Sequence, residues 1–376
     1  MSKQDKVLRK IQHSIDSGKT TPRGTKPNDE CYTSMQDILN ELSYWGELGK
    51  FQGKNIICPC DWDIVEDNNV YSITITYTEE GIDAQSRTHV AYDLWANTLW
   101  SSSEINSEPQ IEHIDLKEEE VDEFLRNKLT CNFVRTLTQN ARRWGIKSVT
   151  ASGYDPGTGR GIKFQDINYE EYDVCITNPP FSLYGEFMKC IVGKIDFICL
   201  APFLNRVTPN VGLPLMLKQA YLGRNVYLAL NFYNPTSDND YKNKAVACDW
   251  ITSYPEAQDE RNKEKHNHRS GVCYADYKDD YIVMENMTMK DGTHPIRVPA
   301  NMLPDDYFGW MFTSVNVLHE IDLSQFEWYG TNFKNYYNKT CVENNPFQHA
   351  CTDNMVSTAS KKFFHGVLLK RINTGK

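Results

Sequence analysis

The chain has 376 residues, an apolar fraction of 40% and 21 Tyr, 16 Phe and 8 Trp, enough for one large folded domain or two smaller ones. No stretch approaches the roughly 18 consecutive apolar residues of a membrane span, and Met1 to Pro27 lacks the apolar centre of a secretory signal. A cytosolic location with reduced thiols is expected, and of the 11 cysteines Cys175, Cys190 and Cys199 sit inside apolar runs, where a thiol acts as a small buried hydrophobe. The net charge of −10 looks adverse to a polyanionic partner until it is located. Residues 1–27 carry seven Lys/Arg against two Asp/Glu, and residues 64–130 carry fifteen acids against four bases, which leaves −4 for the remainder. The acidity belongs mostly to one segment, so a basic face elsewhere is compatible with it.

In chain order, residues 1–27 read as a flexible basic arm, or a short helix and linker, broken at Thr20 to Gly24. Met35, Ile38, Leu39, Leu42 and Trp45 fall at helical spacing, with Thr33 or Ser34 placed to cap the helix. Lys54 to Asp61 is an apolar run ending in an acid, the form of a buried parallel strand whose carboxyl end faces a site. Residues 70–77 alternate and predict a half-exposed antiparallel strand, so 64–130 reads as an acidic insertion with its own hairpin, a surface decoration by preference. A helix over 133–144 capped by Gly145 and strands at 147–151, 162–164 and 172–177 follow. Then come a helix over 182–193, a strand at 196–200, a helix over 213–222 and a strand at 226–232. Strand and helix in alternation predict an α/β fold with a mostly parallel sheet, whose ligands bind at the strands' carboxyl ends. After 233 the pattern loosens into aromatic and polar loops, with short strands expected at 271–277, 281–284 and 295–298 and a charged loop at 257–270.

Asn178-Pro179-Pro180-Phe181 closes the strand at 172–177. Two prolines in a row supply no N–H and push their predecessors out of the helical region, so the turn is stiff and extended. Asn178 Oδ1 and the Pro179 carbonyl are suited to accept both hydrogens of an exocyclic amino group, and Phe181 offers a face for a planar base. Accepting both hydrogens makes such a nitrogen less planar and more nucleophilic, so the chemistry is mostly positioning. A proline-rich structural turn would look the same locally, but chance gives this tetrapeptide in roughly one such chain in a thousand.

The sequence resembles the adenine-specific DNA methyltransferases of the EcoRI modification-methylase family. Four blocks carry the likeness: Asn28 to Thr33 with the following helix, Gly53 to Asp61, Tyr172 to Leu183, and the stretches at 270–272 and 281–299. The resemblance implies a Rossmann-like fold dependent on S-adenosylmethionine, with a catalytic core over 28–232 and a target-recognition region within 233–376. It implies methyl transfer to adenine N6 in double-stranded DNA, the base flipped into the pocket of Asn178, Pro179, Pro180 and Phe181. It assigns Asp29, Glu30, Tyr32 and Thr33 to the cofactor's methionine end, and Cys58, Cys60 and Asp61 to the turn where most methyltransferases carry glycines. For Cys58 and Cys60, packing beneath that turn explains the residues equally well. Such folds place ribose recognition at Tyr154 or Asp155 and adenine recognition at Asp166, with Asn178 bordering the cofactor.

The likeness leaves 64–130 and the carboxyl end from about 331 unexplained. It further implies a monomer, compatible with a cognate restriction enzyme. The same turn serves methylation of cytosine N4, of adenine in RNA and of protein glutamine, although Phe181 departs from the tyrosine usual in glutamine enzymes. A catalytically inactive decoy would account for the acidic insertion but not for an intact Asn178 to Phe181. No metal is expected, since His266, His268 and Cys273 lack a neighbouring pair of ligands.

Overall fold

The computed structural model describes residues 33–61, 132–155, 160–202, 218–225, 244–263, 271–285, 287–330 and 366–373, together with Leu215 and the strands at 70–78, 87–94, 110–116 and 228–232. The chain is α/β and forms two units, residues 1–201 with 228–247, and residues 202–227 with 248–376.

The first unit opens with helix α1, Met35–Glu47. Ser34 rather than Thr33 caps it, accepting from the Asp37 N–H at 3.2 Å. Ile38, Leu42 and Trp45 are buried at the predicted spacing. Glu41 shares that face and is fully buried, with its carboxylate accepting from the Trp45 indole N–H at 3.0 Å. A short connection delivers the chain to strand β1, Asn55–Cys58. Three strands of the acidic insertion follow: β2 (Val70–Thr78), β3 (Arg87–Leu94) and β4 (Gln110–Leu116). Helices α2 (Asn132–Gln139) and α3 (Ala141–Trp144) then lead into β5, Ser148–Ser152. The single helix expected over 133–144 is broken at Asn140, and Gly145 ends it in the left-handed region, φ 64°, as a C-terminal glycine should. A small hairpin pairs β6 (Tyr154–Asp155) with β7 (Arg160–Gly161). Strand β8 (Val174–Thr177), helix α4 (Tyr184–Ile191) and strand β9 (Asp196–Pro202) complete the run.

In this unit the order is β9-β8-β1-β5-β2-β3-β4. The first four strands are parallel, with Cys58 beside Ala151, Ile57 beside Cys175 and Thr177 beside Cys199. The last three are antiparallel, Thr74 lying opposite Thr150 with their hydroxyls 2.9 Å apart. The sheet is thus mixed, not mostly parallel. The insertion is also more than decoration, because its strands occupy an edge of β5 that would otherwise leave backbone groups unpaired. At the amino end of β8, Asp173 accepts from the Asn55 N–H at 2.8 Å and from Lys54 at 3.3 Å. Burial pushes its carboxyl up, but the Asn55 and Lys54 hydrogen bonds and the Lys54 and Lys147 charges outweigh it and hold it below the usual value.

In the second unit β10 (Tyr221–Leu222) pairs antiparallel with the end of β12 (Lys244–Thr252), Leu222 opposite Ile251. The first residues of β12 and strand β11 (Leu228–Phe232), which lies where a strand was expected, belong to the first unit. The nine residues of β12 fall in the region expected to be loops. The helix expected to run to 222 gives way to strand by Tyr221. Residues 256–263 are helix α5 (Glu256–Lys263) rather than charged loop, and α6 (Tyr274–Tyr277) replaces the strand expected at 271–277. A five-stranded sheet follows, β13 (Ile282–Val283), β14 (Ile296–Arg297), β15 (Trp310–Ser314), β17 (Gly366–Arg371) and β16 (Phe326–Gly330) in that order. Met284, Met287, Met289, Trp310, Phe312, Tyr329 and Leu368 form its core.

Candidate active site

All four residues of β8 are buried, and the strand delivers Asn178 to the carboxyl end of the parallel strands. Asn178 is half-buried with Oδ1 shielded from solvent, Pro179 is buried, and Pro180 and Phe181 are half-buried. Pro180 is extended, φ −55° and ψ 120°, with φ set by its own ring. A 3-10 turn, Phe181–Leu183, closes when the Leu183 N–H donates to the Pro180 carbonyl at 3.0 Å, and α4 begins at once. Tyr184 anchors that helix from below, its hydroxyl 3.3 Å from Cys199 Sγ. Burial pushes the Cys199 thiol up to about 12, against the Tyr184 hydrogen bond, so it is protonated at neutral pH.

At the carboxyl end of β1, Cys58 and Pro59 are buried, Cys60 is half-buried, and Asp61 is only 8% exposed. The Asp61 N–H donates to the Ser152 carbonyl at 3.1 Å, which ties the turn after β1 to the end of β5. Burial, then the neighbouring Asp61 and Cys60 charges, raise the Cys58 thiol. Cys175 is raised by burial first and then by Cys199, Cys60, Cys58 and Asp61. The thiols packed under this end of the sheet are therefore neutral apolar filler, not nucleophiles.

The connection Leu48–Lys54 brings the chain to the amino end of β1, so the far end of α1 points toward the carboxyl ends of the strands. Thr33 stands there, 2% exposed, its carbonyl accepting from Asn132 Nδ2 at 2.8 Å. The strand expected at 162–164 is instead a 3-10 turn, Phe164–Asp166. Phe164 packs edge-on against Phe187 of α4 at 5.5 Å, and its carbonyl accepts from the buried Tyr169 hydroxyl at 2.9 Å. Asp166 is exposed on that anchored turn. Asp155 has its backbone in β6 opposite Arg160, and its side chain lies outside the described residues. Asp29, Glu30 and Tyr32 lie outside them as well.

The fold thus gathers Cys58, Cys60, Asp61 and Asn178 at adjacent strand ends. Sequence reasoning passed over two hydroxyls beside them. Ser152 and Thr177, at the last residues of β5 and β8, each bury a hydroxyl with no hydrogen-bond partner among the described residues, as does Thr33. Their signal in the sequence was only position, the final residue of a buried strand.

The profile of the family described as adenine-specific methyltransferase EcoRI matches residues 23–372, nearly the whole chain. The chain belongs to that family. No curated protein and no solved structure matches it. For this adenine-specific methyltransferase family member, the match takes in Asn178 to Phe181, the turn after β1, the whole acidic insertion, and all but the last few residues of the carboxyl end. Among the described residues no helix is long and apolar enough to cross a membrane.

Proposed function

We propose that this chain transfers the methyl group of S-adenosylmethionine to N6 of adenine in double-stranded DNA. The observation that carries the reading is the placement of Asn178 to Phe181 at the carboxyl end of a buried parallel strand, in a chain of an adenine-specific methyltransferase family. The target base sits inside a stacked duplex and is turned out of it to reach the site. Asn178 Oδ1 and the Pro179 carbonyl accept the two amino hydrogens, and Phe181 stacks on the ring. With the donor bound, an N–C bond would form as its S–C bond broke, and one of the amino protons held by Asn178 Oδ1 and the Pro179 carbonyl would pass to water. Residues after 233 read the DNA sequence.

S-adenosylmethionine supplies, when bound, a methyl group on a positively charged sulfur. The residues fit such a ligand. Thr33, Ser152 and Thr177 hold buried hydroxyls that a polar ligand would satisfy, and Asp61 brings a carboxylate to the same end of the sheet as the sulfonium requires. Cys58 and Cys60 shape the turn below it. The resemblance assigns Asp29, Glu30 and Tyr32 to the methionine end of the cofactor and Asp155 and Asp166 to its nucleoside, as in a Rossmann-like fold.

The test incubates the protein with S-adenosylmethionine labelled in its methyl group and unmethylated plasmid DNA, RNA or protein, and identifies and maps the modified atom. Label on adenine N6 in DNA is expected. Label on cytosine N4, RNA or glutamine would reassign the substrate, and no label would favour an inactive binding protein. Asn178→Ala is expected to lower transfer by at least about a hundredfold while leaving cofactor affinity and melting temperature near those of the parent. Unchanged turnover would remove Asn178 from the mechanism.

A further inference from the structure

The turn that carries Asn178 ends in a feature the chemistry above does not use. Leu183 is 39% exposed, whereas its neighbour Tyr184 is 1% exposed and Phe187 is fully buried. Pro180 is fixed in extended geometry, the Leu183 N–H is held by the Pro180 carbonyl at 3.0 Å, and Tyr184 is pinned inward against Cys199. An outward leucine forgoes the burial that a core leucine gains.

Only one other large apolar side chain of the first unit is as exposed among the described residues. That is Leu48, which caps α1 on the amino-end side of the sheet, away from the site. Leu183 stands on the face where a substrate is handled, five residues after Asn178 and two after Phe181.

We propose that Leu183 is the wedge that enters the duplex when the target adenine leaves it, filling the vacated space between the neighbouring base pairs. The inference rests on the reading that the target is adenine in double-stranded DNA. A base drawn out of the stack leaves an apolar gap of roughly its own thickness, and unstacking costs a few kcal/mol unless something fills it. Leucine is apolar, branched and short enough to slide between bases. The rigid turn delivers it at the moment the base reaches Asn178, because both belong to one stretch of chain. Leu183 is a positioning residue in this role, since it acts on the neighbours of the reacting base.

The test uses the full chain and an oligonucleotide duplex built around the adenine mapped by labelling. One version pairs that adenine with thymine, and the other places an abasic position opposite it, so that the base is already free to leave. Leu183→Ala is expected to lower kcat/KM about tenfold on the paired duplex, equivalent to about 1.4 kcal/mol. On the abasic duplex the same variant should stay within about twofold of the parent, since extrusion there is already cheap. Leu183→Met, which keeps an apolar side chain of similar volume, should stay near the parent on both. An equal loss on the two duplexes, or no loss on the paired one, overturns the proposal. A parent chain that methylates neither duplex overturns the substrate reading and this inference with it.

Discussion

Thr177 lies next to Asn178, the amide proposed to orient the substrate, yet its own hydroxyl is fully buried and meets no partner among the described residues. A buried hydroxyl left this way costs about 1–3 kcal/mol, so removing it without changing the shape should not harm the fold. Thr177→Val is therefore expected to leave the chain as stable as the parent or more stable by about 1 kcal/mol, read from urea unfolding. The same variant should bind S-adenosylmethionine about tenfold less tightly if the hydroxyl faces the ligand. Equal affinity with lowered stability would make Thr177 a packing residue. Asn178 to Phe181, the proposed site, stands out in the sequence because the tetrapeptide is rare and two prolines stiffen it. Thr177 and Ser152 do not, since Ser and Thr occur everywhere and only burial without a partner singles these out. Asp166, chosen for its place after an expected strand, sits exposed on a turn held by Phe164, and its proposed role depends on that anchor.

Helices α1 and α3 meet through a glycine that sequence rules would call a weakness. Glycine inside a helix costs about 1 kcal/mol relative to alanine, so Gly46→Ala would ordinarily stabilise α1. Here a Cβ on Gly46 would come within 2.5 Å of the Trp144 ring, which is itself packed against Phe51 at 5.7 Å. The ring cannot retreat, and overpacking of this kind costs about 1–3 kcal/mol. The variant is expected to melt several degrees lower, reversing the sign that propensity alone gives. Elements whose signal is local were legible in this way: α1, β1, β5, β8 and β9 all declare themselves by apolar runs or helical spacing. Elements defined by a distant partner were not. The alternation at 70–77 predicts one half-exposed strand, but nothing in it says that the strand lies against β5 with Thr74 opposite Thr150. The strand at 244–252, KAVACDWIT, escaped for the same reason, with charges at its start and at Asp249 masking a buried stretch.

Charge is uneven along the whole chain, and that bears on the proposed DNA substrate. The total is −10, but the insertion at 64–130 carries −11 of it, while residues 1–22 hold five Lys/Arg against two Asp/Glu. Those 22 residues lie ahead of the family match, which starts at 23, so they stand apart from the shared machinery. A basic segment of this composition suits phosphate contacts, which add affinity without sequence selection. Each phosphate it neutralises releases a counterion and steepens the fall of log K with log salt by about 0.9. Deleting residues 2–22 should therefore weaken DNA association at low salt, flatten that slope, and leave the order of preference among DNA sequences unchanged. Affinity for S-adenosylmethionine should not move, because the residues proposed to hold it, Asp29 to Thr33 among them, remain. Fluorescence anisotropy of a labelled duplex over a series of salt concentrations measures the slope directly. An unaltered slope would place the phosphate contacts elsewhere and leave the segment without a part in binding. A changed sequence preference would mean that it reads bases rather than backbone.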